Sequence, residues 1–565
     1  MKQLFEMKKI VVIAGGLLLG GQLTAQESLV TIDTVSISGR FLQIPYSSAI
    51  ENVEVITAKE IAKSPAKSID ELLQQYTGMD VRRRGANGVQ SDISVRGGTF
   101  EQVLIQLNGI RMNDSQTGHN SLNIPVDLSN VERIEIIKGP AARRFGNATY
   151  AAINIITKPS AEENVRIRAE GGDFSTYSLS LGATFGGNRV SNLFQISSGG
   201  SEGYRHNTDY EIRNVFYQNK IRLNRGSLNF QGGFSEKKFG ANGFYASPTA
   251  TEQYEETQAS VAALTLEQNY GNFSFNSNLY WRRGQDMYLF IRNKPAVYRN
   301  MHIGNNVGGD VNASYKWALG TTGVGVELRK EFLASSNLGH RERFITQLYF
   351  EHHFSFLTNR LQIVPGVTWS DYSTGENFFF PGLDVGFDLN SNHKIYGNIA
   401  KSHRIPTWTD LYYTSKTEAG NPDLKPESAW SYEIGYRYIN RGFMAKASFF
   451  GRESNDQIDW TRANAADIWH AQNIGNLSTK GLEAEFTHNL DIPILKFYSF
   501  GYTYLDIAMN NPVSASRYTL DNFRHQFTGK LGFQWFKGLT NDWIYRYSER
   551  VQGQAYHLVD TKLNY

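Results

Sequence analysis

Tyr177-Ser178-Leu179-Ser180-Leu181-Gly182-Ala183-Thr184-Phe185 sets an aromatic or aliphatic side chain at every second position, with small or polar residues between. That period belongs to a strand whose two faces meet different surroundings. The pattern recurs at Val215, Tyr217, Asn219, Ile221 and Leu223, then at Tyr432, Ile434, Tyr436 and Tyr438, then at Leu482, Ala484 and Phe486. The alternating segments run to about ten residues, the length of a tilted strand crossing a bilayer, whereas strands of soluble sandwiches average about five or six.

The connections alternate too. Short turns stand at Gly186-Gly187-Asn188, Asn224-Arg225-Gly226, Tyr270-Gly271-Asn272 and Ser391-Asn392-His393. Between them lie long polar, aromatic stretches near 199–213, 236–258, 283–305, 402–427, 451–473 and 505–522. One short end and one long end describe an outer-membrane barrel with periplasmic turns and extracellular loops. About 20 strands are expected over residues 160–565. The 565-residue composition agrees: 30 Tyr, 34 Phe and 52 Gly against 14 Pro.

Upstream the texture differs. Residues 1–25 read as a signal peptide, with Lys2, Lys8 and Lys9 ahead of an apolar run from Ile10 to Leu19 and cleavage expected after Ala25. Residues 26–50 read as an extended linker, and 51–159 as a small α/β domain. Thr57-Ala58-Lys59-Glu60 and Ser68-Ile69-Asp70-Glu71 are capping-box sequences. Gly78 is the expected stop of the second helix, and Asn108-Gly109 marks a tight turn.

Composition excludes several classes. Lys and Arg number 57 against 54 Asp and Glu, for a net charge of +3, so nothing favours nucleic acid. The absence of cysteine removes disulfide scaffolds, thiolate metal sites and cysteine nucleophiles. No G-x-S-x-G, H-E-x-x-H or P-loop sequence supports an enzyme. His352-His353, adjacent on a strand, face opposite ways and cannot share a metal. Aspartates such as Asp209 occur in loops without calcium-loop spacing, so calcium in the loops stays open with no ligand assigned, and no cofactor is expected. A passive porin or an adhesin is the other-class alternative, but a porin has no use for a folded domain filling its pore.

The small domain carries Leu72-Leu73-Gln74-Gln75-Tyr76-Thr77-Gly78, Ile93-Ser94-Val95-Arg96-Gly97-Gly98, Val103-Leu104-Ile105-Gln106-Leu107-Asn108-Gly109 and Val131-Glu132-Arg133-Ile134-Glu135. With Arg404-Ile405-Pro406 and Gly481-Leu482-Glu483-Ala484-Glu485 in the barrel, these resemble the TonB-dependent outer-membrane receptors. The closest resemblance is to a cobalamin-receptor-like subgroup of Bacteroidetes, carried by Gly97–Leu104 and Thr117–Asp127. Ala151-Ala152 stands where the family more often has glycines. The resemblance implies a 22-stranded transmembrane antiparallel barrel with an N-terminal plug in its lumen, in the bacterial outer membrane. It also implies energy-coupled import of a scarce ligand, with TonB and its inner-membrane energising complex as partners. Cobalamin or a related corrinoid is the first ligand expectation and a ferric siderophore the alternative. Haem drops because residues 407–420 hold no histidine, and a surface lipoprotein partner stays open.

Asp33, Thr34, Val35, Ser36, Ile37 and Ser38 resemble the TonB box, an extended segment that adds as a strand to TonB. Expected ligand contacts are Arg84, Asn87, Gln90, Asn113, Ser115, Thr117 and His119 on the plug, with Tyr245, Trp281, Trp408, Tyr412 and Trp469 on the barrel, since aromatic faces give contact area at low entropic cost. Parity sends Glu433 and Glu483 into the lumen, where Arg96 and Arg133 are their expected plug partners. The family's strand number also leads to the expectation that two C-terminal strands lie beyond Tyr565.

Overall fold

The computed structural model describes residues 36–38, 43–146, 150–245, 247–510 and 515–565. The signal-peptide segment 1–25 and Asp33 to Val35 lie outside these residues. Ser36–Ser38 form a short strand antiparallel to Gln43–Pro45.

Twenty antiparallel strands follow one another in chain order from Asn164–Gly172 to Tyr556–Asn564. The sequence periodicity sets their faces. Ile434 is 59% exposed and Phe449 63%, both toward lipid, while Glu433 and Arg437 are buried in the lumen. Strand lengths run from 9 residues to 19 in Arg299–Trp317. About ten cross the hydrocarbon, so much of each long strand stands outside it. This corrects the loop boundaries read from sequence: the ladder between Tyr210–Leu223 and Gly226–Gly240 runs through residues 210–213 and 236–239, which sequence had assigned to loops. Cross-strand hydrogen bonding holds those polar stretches in the sheet. Among the described residues no ladder joins Asn164–Gly172 to Tyr556–Asn564, and the sheet is open there.

The plug's main sheet has five strands in the order Val53–Thr57, Val131–Lys138, Ala151–Thr157, Val103–Leu107, Ile110–Arg111. Only the Val103–Leu107 pairing with Ala151–Thr157 is parallel. Its apolar rows, including Ile56, Leu107, Ile134 and Ile153, are wholly buried. Ala151 and Ala152 are buried as well, and their small side chains suit the close packing there. Asn108 and Gly109 both have positive φ (51° and 83°), the geometry of the tight turn expected there. Thr57 and Glu60 form the reciprocal capping box. Ser68 does not; Glu71 instead accepts from the Lys67 N–H at 2.8 Å, and the helix is only Ile69–Leu73. Gly78 (φ 73°) lies past that helix and turns the chain into Met79–Arg83 rather than stopping the helix.

Candidate functional site

Two short turns of the plug, Phe100–Gln102 and Gly118–Asn120, face the long loops. Thr99 and Thr117 cap them, fixing Phe100 and His119 side by side with ring centroids 4.3 Å apart. Tyr518 meets Phe100 edge-on at 5.0 Å. Above them, the loops after Arg404 and Asn455 form a small sheet of Glu418–Ala419, Trp469–Asn473 and Ile458–Thr461. Plug and loops enclose a cavity of about 540 Å³ whose walls include Phe100, Glu101, His119, Tyr245, Tyr413, Trp460 and Tyr518.

Electrostatics fix the floor. His119 Nδ1 lies 2.6 Å from Asp92 Oδ1, and Arg84 Nη2 donates to Asp92 Oδ2 at 3.1 Å. Burial alone would raise the Asp92 carboxyl, but His119 and Arg84 outweigh it and hold Asp92 well below the usual carboxylate range. Glu101 shows the opposite balance. Burial, then the charge of Asp410, pushes its carboxyl up to about 8, although Gly118 donates its N–H to Oε1 at 2.7 Å. On the roof, Arg517 binds Glu418 and so ties two loops together.

The cavity gathers some of the residues expected from sequence and not others. Gln90, Thr117, His119 and Tyr245 line it, with the Tyr245 hydroxyl donating to Gln90 at 2.7 Å. Arg84 supports the floor from behind, 5.5 Å from the Tyr245 ring. Asn87 donates to the Tyr210 hydroxyl at the side of the plug. Asn113 is spent on backbone, bonding Ile105 N and Val103 O at 2.8 Å each. Ser115 is buried, and its carbonyl accepts from Trp408 N at 3.1 Å.

Four aromatic assignments need correction. Trp281 is 37% exposed on the outer face of Phe273–Leu289, because the lumen parity there belongs to Arg282. Trp408 is 4% exposed and packs with Leu333 and Leu338 beneath the loops. Tyr412 lies under the Arg341 guanidinium at 3.7 Å, and its neighbour Tyr413 faces the cavity instead. Trp469 lies between Arg462 and Arg517 and packs against the cluster of Ile458, Trp460 and Ala471, leaving the cavity to Trp460. Adjacent residues on a strand or short helix point differently, and sequence alone does not fix that phase in a loop. Phe100 and Glu101 were legible as part of the Gly97–Leu104 motif, and Trp460 and Tyr518 as loop aromatics.

Below the cavity the plug is fastened to one wall. Arg96 Nη1 lies 2.9 Å from Glu433, and Nη2 lies 2.8 Å from Glu483. All three side chains are at most 4% exposed, and Phe450 covers the guanidinium at 4.1 Å. Arg133 does not reach this cluster; within the plug it bonds Glu135 at 2.8 Å and Glu132 at 3.1 Å. Lys138, at the end of the same strand, takes the place proposed for Arg133, 3.4 Å from Glu483 and 3.8 Å from Glu485. Arg144 adds a second fastening to Glu351 at 3.0 Å and Asp384 at 2.6 Å.

A barrel with ligand-sized space above a plug, and that plug fastened inside, defines a gated outer-membrane receptor rather than an open pore. The sequence profile described as "TonB dependent receptor-like, beta-barrel" matches residues 159–565, and "TonB-dependent Receptor Plug Domain" matches 45–153. The chain belongs to the TonB-dependent receptor family, whose members work in transport at the bacterial outer membrane. It is similar to the Vitamin B12 transporter BtuB of Vibrio vulnificus (strain CMCP6), 26% identical over 494 residues, covering 82% of this chain and 76% of that protein. The counterpart from Photobacterium profundum is 25% identical over 529 residues, covering 88% and 83%. Among solved structures, a mutant of the ferric enterobactin receptor PfeA from Pseudomonas aeruginosa, in complex with enterobactin, superposes with a TM-score of 0.74 at 18% identity, covering 91% and 92%. The Serratia marcescens hemophore receptor HasR superposes with a TM-score of 0.75 at 15% identity, covering 92% and 94%. At such identities these structures speak for the fold alone.

Proposed function

We propose that this receptor imports cobalamin or a related corrinoid, captured in the cavity above the plug and released inward when TonB pulls on the segment Asp33 to Ser38. The observation that carries the choice of ligand is how few free cations the described cavity wall offers. Its cations are Arg404, Lys416 and Arg517. Arg404 and Arg517 are already engaged by Glu427 and Asp410, and by Glu418. Burial raises the carboxyls of Glu101 and Asp459, which favours their neutral form. A ferric catecholate is strongly anionic and finds little to pair with here. A corrinoid carries little net charge, and its rim of amides finds polar partners in Glu101 and Asp459 and stacking surface on Tyr245, Trp460 and Tyr518. The similarity to vitamin B12 transporters supports the same ligand. TonB and a small-molecule ligand are the proposed partners.

The test is uptake of labelled cyanocobalamin by cells that carry this receptor as their sole corrinoid receptor, with and without TonB. TonB-dependent accumulation is expected. Accumulation of ferric catecholate in place of cyanocobalamin would assign the siderophore reading, and uptake independent of TonB would assign a passive pore.

A further inference from the structure

The plug meets the barrel very differently on its two sides. One side holds the Arg96, Lys138 and Arg144 ion pairs with strands from Gly339–Phe356 to Leu477–Asn489. On the other side stand the four strands from Val190–Ser201 to Tyr254–Tyr270, and among the described residues no ion pair joins them to the plug. Neutral amides meet there, together with one buried cation, Lys237, whose Nζ donates to the plug's Gly88 carbonyl. Asn108 Nδ2 donates to Gln231 Oε1 at 2.5 Å, and the Thr157 hydroxyl donates to Gln218 Oε1 at 2.6 Å.

These amides border a cavity of about 1120 Å³ at the short-turn end of the barrel. Its walls carry many amides, Asn108, Asn154, Gln218 and Gln231 among them, beside charged groups of both signs such as Arg111, Lys220, Asp310 and Glu327. The order along single strands shows how it relates to the upper cavity. On Tyr254–Tyr270, Glu255 lines the upper cavity, Val261 and Ala263 are sealed in the apolar core, and Thr265 borders the lower cavity. On Phe273–Leu289, Asp286 and Asn278 take the same two ends, but there Arg282 pairs with the plug's Asp114 at 2.7 Å between them, so the apolar seal belongs to the four strands alone. The seal is apolar, with plug residues Met112, Ile124 and Val126 in one cluster with Phe216, Val261 and Ala263 of the wall.

We propose that the lower cavity is the exit site of the transported ligand, a second site for an amide-bearing ligand, reached by parting the plug from these four strands. This rests on the import proposed above. Parting this side breaks no ion pair between plug and the four strands and takes only backbone carbonyls from the Lys237 ammonium, whereas opening the opposite side separates several buried ion pairs. The amide-lined walls offer both donors and acceptors to a ligand rimmed with amides.

The chain has no cysteine, so introduced thiols are unique. One variant carries Asn108→Cys with Gln231→Cys, across the proposed path. The other carries Gln102→Cys with Gln457→Cys on the fastened side, where Gln102 Nε2 lies 3.3 Å from Gln457 Oε1. Each pair is bridged with a short, reducible bifunctional thiol reagent. Two readouts follow: cyanocobalamin uptake by cells, and ion conductance of the purified receptor in a planar bilayer in moderate urea, which needs no ligand. Bridging Asn108→Cys to Gln231→Cys is expected to abolish both, with recovery on reduction. Bridging the other pair is expected to leave at least half of each. The reverse pattern overturns the proposal, as does equal block or equal passage in the conductance of both. Failure of the reduced, unbridged receptors to take up cyanocobalamin counts against the ligand assignment, while conductance still decides the path.

Discussion

Replacing Arg96 with Ala removes the guanidinium that the plug sets between Glu433 and Glu483. Both carboxylates are nearly solvent-free, at 0% and 4% side-chain exposure. Lys138 remains 3.4 Å from Glu483, so Glu433 is the group left without its charged partner. Leaving a buried charge bare costs about 3–5 kcal/mol. At about 1.36 kcal/mol per factor of ten, the plug's bound state loses roughly two to nearly four powers of ten. A second quantity enters through the backbone. Arg96 has φ 50°, a left-handed conformation, and Gly97 follows at 79°. Strain of this kind costs on the order of 1–3 kcal/mol and persists only where surroundings hold it. Arg96→Ala keeps the strain, whereas Arg96→Gly relieves it and is expected to be the milder change. Adding Glu433→Gln to Arg96→Ala removes the bare charge while Glu483 keeps Lys138, and is expected to recover most of the loss. The assay is hydrogen exchange of plug amides in the purified receptor, with barrel amides as internal control. A loss below about 1 kcal/mol for Arg96→Ala, or no recovery in the double variant, would refute the reasoning.

Other outcomes follow from the same geometry. Val35→Pro removes a backbone donor from the TonB-box segment, so binding should persist while uptake fails; continued uptake would relocate the box. Tyr245→Ala combined with Tyr518→Ala should weaken corrinoid binding about tenfold or more, as stacking on two aromatic faces is lost, whereas Trp281→Ala on the outer face should leave the titration unchanged. The Glu101 carboxyl, pushed up to about 8 from its ordinary 4.5, stays protonated in the folded plug where the unfolded chain ionises. Its contribution is therefore full below about pH 4.5 and fades as pH rises through 8; Glu101→Gln should flatten that part of the plug's stability profile, and an unaltered profile would remove Glu101 as its source. Trp408→Ala should lower the melting temperature through the cavity left beside Leu333 and Leu338, at a cost of about 3–5 kcal/mol; an unchanged melt would contradict its buried placement.

The barrel was legible because lipid on one face and lumen on the other write a two-residue period into every strand. That period alone turns Glu433 and Glu483 inward. The plug motif likewise pointed to Arg96. It could not decide between Arg133 and Lys138, five residues apart on one strand, because the register shift between Val131 and Arg133 is a tertiary feature. The vestibule was legible by region rather than by residue. Trp460 and Trp469 lie in the same loop, and the pairing of Trp460 with Ala471 puts both rings on one face of the loop sheet, so which of them borders the cavity is settled by tertiary packing. Tyr412 and Tyr413 differ by one helical step at the end of a five-residue helix, for the same reason. The lower cavity had no sequence signal, since amides scattered over several strands of plug and barrel meet only after the sheet curls.

The central claim is that the cavity above the plug binds a corrinoid. The most direct measurement is isothermal titration of the purified receptor with cyanocobalamin, alongside a ferric catecholate. Saturable one-to-one binding of cyanocobalamin, weakened by Tyr245→Ala with Tyr518→Ala, and no heat from the ferric catecholate, is the predicted result. Saturable binding of the ferric catecholate with none of cyanocobalamin would contradict it.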